Sequence, residues 1–251
     1  MQNQVIESLF RWVHVVAGIT WIGLLYFFNW VNSSFAPTMD AETKRKVVPE
    51  LMPRALYWFR WGAVYTWITG VLLLVLVYYH SRIVLFDAGH TWNVGAAVMI
   101  AIVFLGMFAY DWLYGTVLAD PTAGFVAGVV LASAVVFCLD YVAGFSYRGY
   151  AIHLGAMFGS IMAFNVWFRI WPAQEKIIHA VKEGAAPDPE LSALAATRSK
   201  HNTYMSVPLV FTMISQHAVW AAHPVYLCAV VLVGWGAVYW LYGKAKTVSG
   251  L

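Results

Sequence analysis

Seven apolar runs separated by polar links set the pattern of this chain. A helix rises 1.5 Å per residue, so about twenty apolar residues cross the roughly 30 Å hydrocarbon core of a bilayer. The runs predict spans at about 8–30, 57–79, 92–114, 121–142, 148–171, 202–221 and 224–243. Polar positions mark their ends. Asp120-Pro121 is a start signal, since proline is tolerated in a first helical turn. Gly144 to Arg148 forms a tight connection, Pro172 closes the fifth span, and His223-Pro224 turns the chain into the last. Two longer polar links, 31–56 and 172–201, remain, and the second is rich enough in Ala, Glu and Lys to predict a surface helix. The first run is too long, and lacks the small-residue cleavage site, to be a signal peptide.

Composition agrees with this pattern. Hydrophobic residues make up 61% of the 251, charged residues 11%, and mean hydropathy is +0.68, which excludes an ordinary soluble domain. The formal charge of +3 is no nucleic-acid signal, because the basic residues cluster in particular links. With an outside amino terminus, seven spans put Lys44, Arg45, Lys46, Arg54, Arg60, Arg169, Lys176, Lys182, Arg198, Lys200, Lys244 and Lys246 inside. Only Arg11, Arg82 and Arg148 fall outside, a split that obeys the positive-inside rule. The expected fold is an all-α integral membrane protein: a bundle of about seven transmembrane helices in a single membrane domain over 1–251, amino terminus outside and carboxyl terminus inside. Cys138 and Cys228 lie in apolar runs without a Cys-x-x-Cys pair, so a disulfide framework, a zinc site and covalent haem attachment lack support. No Walker loop, serine elbow or glycine-rich nucleotide fingerprint occurs.

Ionisable residues inside spans are the chemical candidates. His14 lies about six residues into the first span, roughly 9 Å down. His153 lies about five residues into the fifth, and His217 a similar distance before the outer end of the sixth. Three histidines are thus expected in one outer layer. Neutral imidazoles in a dry interior suit haem iron, and any two of the three would make an axial pair. Hydrogen bonding between helices is the plainer reading. A zinc or copper site has no thiol or acidic residue at ligand spacing. Ala17, Gly18, Gly149, Gly155, Ala156 and Gly159 would admit a flat macrocycle, and close helix packing explains them equally. In the sixth span Asn202, Ser206, Met213 and His217 are spaced to share nearly one helix face, and Pro208 frees the carbonyl of Tyr204. His201 lies at its inner end, about 24 Å from His217 on a regular helix, where it would serve a second haem, a proton route or the lipid interface. Asp111 is expected to pair with Arg60 or Arg169, and Asp140 with Arg148 or a histidine.

These residues carry a resemblance. Arg11-Trp12-Val13-His14 through Gly18, Trp21, Gly23, Tyr26 and Asn29, with His201-Asn202-Thr203-Tyr204-Met205-Ser206-Val207-Pro208 and Met213-Ile214-Ser215-Gln216-His217, resemble the amino-terminal membrane domain of the cytochrome c-linked urate oxidases over nearly the whole chain. The resemblance implies a membrane haem b oxidoreductase, with one or two haems, in the bacterial inner (cytoplasmic) membrane. It would oxidise a small anionic reductant such as urate and pass electrons to a periplasmic cytochrome c or another electron-transfer subunit. It further implies haem-iron ligation among His14, His153 and His217, with His201 as a further cofactor-binding residue. The substrate would be held by Arg11 or Arg148 and by the polar sixth-span face: Asn202, Ser206 and Ser215. Full-length members continue into a cytochrome c domain carrying Cys-x-x-Cys-His, and this chain has no such motif. The expectation is therefore either a separate electron acceptor or a relative that kept the haem scaffold without urate chemistry. The alternative function is a non-catalytic haem-binding or structural subunit of a larger respiratory or photosynthetic complex, and a transporter or metal-handling protein is the third.

Overall fold

A computed structural model describes residues 2–80 and 84–248. Arg82, expected among the outer basic residues, lies outside the described residues. Among the described residues helices account for nearly everything, and the one bridge is Phe86 with Phe145. In chain order they are α1 (Gln2–Tyr26), α2 (Ala41–Leu73), α3 (Val94–Thr116), α4 (Pro121–Tyr141), α5 (Tyr147–Asn165), α6 (Trp171–Glu183), α7 (Pro189–Ile214) and α8 (Pro224–Ala245). Wider π-helical turns extend α1 over Phe27–Asn32, α2 over Leu74–His80 and α5 over Val166–Ile170.

Six of the resulting helical runs are long and apolar enough to cross a membrane: Gln4–Thr38, Ala41–His80, Val94–Thr116, Pro121–Tyr141, Tyr147–Glu183 and Pro224–Ala245. This is a multi-pass, all-α membrane protein. The helix starts follow local chemistry. Asp120 accepts the Ala123 N–H at 2.7 Å with Pro121 behind it, and Asn93 accepts the Ala96 N–H at 2.8 Å. Outside the spans, Asp40 accepts the Thr43 N–H at 2.7 Å, and this bond holds its carboxyl below the usual range.

Two expected boundaries move. Pro172 does not close the fifth span, because the helical run continues through it from Tyr147 to Glu183. The carbonyl that a proline at 172 leaves without its helical donor is that of Phe168. Arg169 Nη1 donates to it at 3.1 Å, and Pro172 itself falls in the first turn of α6, where proline is tolerated. The surface helix expected in this link is α6, which ends at Gly184 in the left-handed region (φ 77°). The sixth span, drawn over 202–221, is α7, which begins at Pro189 and stops at Ile214. It is absent from the six runs apolar enough to cross.

By contacts along the chain the molecule divides into two compact units. The first comprises residues 1–8, 70–161 and 205–236, and the second 9–69, 162–204 and 237–251. In the first, Phe145, Ala151, His153, Leu154, Val136 and Leu139 are fully buried. In the second, Leu25, Ala63, Val166, Asn165 and Asn202 are. The run beginning with α5 is the most enclosed, with 61% of its apolar window buried against 11–28% for the other five.

Candidate functional site

In the first unit the start of α5 is stitched to the segment after α2. Ser146 N–H donates to the Leu85 carbonyl at 2.9 Å, and Ser146 Oγ donates to the Val84 carbonyl at 2.7 Å. The same Oγ accepts the Gly149 N–H at 3.2 Å, capping the helix. A Cβ on Gly149 would collide with the Leu85 carbonyl oxygen, so this approach requires glycine.

One turn further along, His153 is fully buried. Its Nδ1 lies 2.7 Å from the Gly149 carbonyl and its Nε2 2.9 Å from the Tyr79 hydroxyl. A carbonyl only accepts, so Nδ1 carries the proton and Nε2 accepts from Tyr79. The ring is a neutral imidazole in a fixed tautomer. Phe145 packs on it at 4.7 Å between centroids and Tyr79 at 5.6 Å, and Phe86 and Trp92 extend the aromatic wall. Tyr79 sits in the π-helical turn ending α2, a kind of irregularity that often marks functional positions.

Its neighbour Tyr78 donates to Gln216 Oε1 at 2.7 Å, and Gln216 Nε2 donates to the Thr212 carbonyl at 2.7 Å. Gln216 borders a pocket of about 420 Å³, lined also by Phe86, Asp87, Tyr147, Arg148 and His217. The lining comes from the links between α2 and α3, α4 and α5, and α7 and α8, together with the first turn of α5. Arg148 Nε donates to the Gln216 carbonyl at 2.9 Å. Tyr147 donates to Ser215, reaching its carbonyl and its Oγ at 3.1 Å. Just beyond the end of α7, side chains from α5 thus hold the carbonyls of Ser215 and Gln216, and the Ala218 N–H closes a turn onto Ser215. Arg148 precedes His153 by five residues, about 7.5 Å along the helix axis.

The second unit holds His14. Its Nδ1 lies 2.9 Å from the Thr66 carbonyl and 3.2 Å from Thr69 Oγ1, which itself donates to the Tyr65 carbonyl at 2.6 Å. Nδ1 is therefore again the protonated nitrogen, and Nε2 is left basic. Asn202, fully buried, accepts from Asn165 Nδ2 at 2.9 Å and donates to the Met162 carbonyl at 3.0 Å. Close to Asn202 in sequence, Ser199 Oγ accepts from Asn29 Nδ2 at 2.7 Å, and Asn29 Oδ1 accepts from Tyr242 at 2.8 Å. Arg60 stacks on the Trp171 ring at 3.5 Å, a cation–π contact.

A family model described as urate oxidase N-terminal matches residues 2–46 and 39–247. The chain belongs to the urate oxidase N-terminal family. No curated protein and no solved structure matches it.

In this urate oxidase-like membrane protein the expected site residues divide between the two units. His153, Ser206, Ser215 and His217 fall in the first, Arg11, His14, His201 and Asn202 in the second. His217 lines the pocket with Arg148, and Ser215 holds the hydroxyl of Tyr147, another lining residue, whereas Asn202 is engaged in side-chain bonding between helices. Ser206 is fully buried in α7, His201 lies near the middle of that helix, and Arg11 is exposed on α1. His217 is not on a helical face. It sits exposed in a turn three residues beyond α7, so its regular spacing from Asn202, Ser206 and Met213 does not carry over. Among the described residues no three His, Cys, Asp or Glu side chains are grouped to hold a metal ion. Of the glycines singled out by sequence, Gly155 is packed so that an added Cβ would collide with Thr212, whereas one at Gly159 or Gly18 would meet Leu209 or Thr66 at ordinary contact distance. Sequence reasoning missed Tyr78, Tyr79 and Gln216 as site residues. The one signal was a tyrosine pair closing an apolar span.

Proposed function

We propose that this protein is a membrane oxidoreductase of the urate oxidase type. It oxidises a small anionic reductant in the pocket at Arg148 and delivers electrons, through haem b, to a periplasmic cytochrome c. The observation that carries the reading is the adjacency within one unit: a pocket with a cation at its wall, five residues along α5 from a buried, oriented, neutral imidazole. Arg148 attracts and orients the anion, and the aromatic wall of Phe86 and Tyr147 offers planar faces.

The donor chemistry supports haem. His153 and His14 each commit Nδ1 to a backbone carbonyl, the arrangement that fixes the tautomer and raises the basicity of the remaining nitrogen of a metal-ligating histidine. Each is a candidate axial ligand, for one haem or for two. A bound haem supplies one-electron transfer, whose potential responds to ligand identity and burial. At His153 the Tyr79 hydroxyl occupies Nε2 and would give way on ligation. His217, in its exposed turn, is better suited to the pocket than to iron.

In this proposal α7 completes seven spans, with the amino terminus outside and the carboxyl terminus inside. The three links that line the pocket are then all on the outer side, where a periplasmic acceptor operates. The polar residues that lower the hydropathy of α7 face partners within the protein, as Asn202 does. The bacterial inner membrane is the setting this topology fits. The test is an anaerobic optical spectrum of protein purified from haem-replete cells. A Soret band that shifts to the reduced form on adding urate is the expected result, and the absence of haem absorption would sink the proposal.

A further inference from the structure

We infer that Asp87 makes the pocket selective for a planar heterocyclic anion that presents N–H donors beside its carbonyl acceptors. The inference rests on the proposed oxidation at this same pocket and names the feature that its ligand must have. Arg148 alone would not discriminate. Its Nε is tied to the Gln216 carbonyl, which steadies the guanidinium and leaves its terminal N–H groups for a ligand, and such a fork accepts carboxylates and phosphates as readily as heterocycles.

Asp87 changes the requirement. It lines the same pocket, and among the described residues its carboxylate makes no hydrogen bond or ion pair, with Arg148 or with any other residue. An ionised carboxylate only accepts, so it repels an anion that has no donor to offer. A ligand content with both groups turns a negative, acceptor-bearing edge to Arg148 and an N–H edge to Asp87. Cyclic ureides and oxidised purines carry both edges, whereas simple carboxylates at neutral pH carry only the first. Gln216 is a positioning residue: its side chain is held by Tyr78 and Thr212, and its carbonyl is spent on Arg148. A pocket of about 420 Å³ is ample for a two-ring heterocycle.

The test is equilibrium dialysis of radiolabelled urate and of benzoate, a planar anion without N–H donors, against the full chain in detergent with no electron acceptor present. The wild type is expected to bind urate about tenfold tighter than benzoate, the worth of one charge-assisted hydrogen bond. Asp87→Ala is expected to weaken urate by about tenfold and to strengthen benzoate, so that the preference disappears. Opposite signs for two ligands in one variant cannot arise from misfolding. Arg148→Gln is expected to weaken both ligands. Equal binding of urate and benzoate by the wild type, or an equal change for both in Asp87→Ala, overturns the inference. The oxidoreductase reading fails separately: the expected binding pattern without haem reduction by urate would refute that reading and leave the selectivity standing.

Discussion

His14 and His153, both expected near the outer ends of their spans, make the same first commitment, Nδ1 to a backbone carbonyl, yet their helices differ sharply. α5 is enclosed, and His153 is sealed within it by Phe145 and Tyr79. α1 belongs to the least buried run of the six, and Trp12, Val15, Val16 and Ile19 beside His14 are more than half exposed, as lipid-facing residues are. A tautomer can be fixed on either kind of helix, because it needs only one carbonyl. A reaction site needs more: an enclosing wall, a fixed second contact and an adjacent pocket. Only the surroundings of His153 supply all three within one unit.

The comparison breaks most severely through glycine. Gly149→Ala drives a methyl group into the Leu85 carbonyl, and we expect a loss of about 3 kcal/mol or failure to fold, read by denaturant unfolding in mixed micelles. Gly18→Ala on α1 meets Thr66 at 3.8 Å, an ordinary contact, and should fall within about 0.5 kcal/mol of wild type. Next come the histidines. His153→Ala removes a fully buried ring and two hydrogen bonds and should cost about 3 kcal/mol, against about 1 kcal/mol for half-buried His14→Ala. If the two costs are equal, the contrast between enclosed and peripheral helix is wrong. Around His153 itself the smallest effect is that of Tyr79→Phe, which frees Nε2. We expect about 1 kcal/mol of destabilisation without haem and, since a competing bond is gone, tighter haem binding by about fivefold in a titration followed at the Soret band.

The spans were legible because a bilayer demands length and apolarity, and both are written into the composition of each run. The starts at Asp120-Pro121 and after Gly144 were legible because capping and turn chemistry act locally. The continuation through Pro172 was not, since the π-helical turn at Val166–Ile170 places Pro172 in the first turn of α6 rather than at the end of a helix. The segment after α7 was hidden too: Tyr147 and Arg148, 68 residues earlier, bond the Ser215 and Gln216 carbonyls there, contacts that no local pattern announces. His153 could be picked out as an ionisable residue deep in a span. Its partner Tyr79 could not, because a π-helical turn shifts the direction of every side chain after it. Asn202 shows the opposite hazard, a polar residue in a span that serves packing.

The central claim is that oxidation takes place at the pocket beside His153, and stopped-flow reduction of the proposed haem by low concentrations of urate tests it most directly. With wild type and Arg148→Gln compared under anaerobic conditions, the account expects the same haem content and resting spectrum, with the variant's reduction slowed about tenfold by weaker binding of the anion. Equal rates in the two proteins would contradict it.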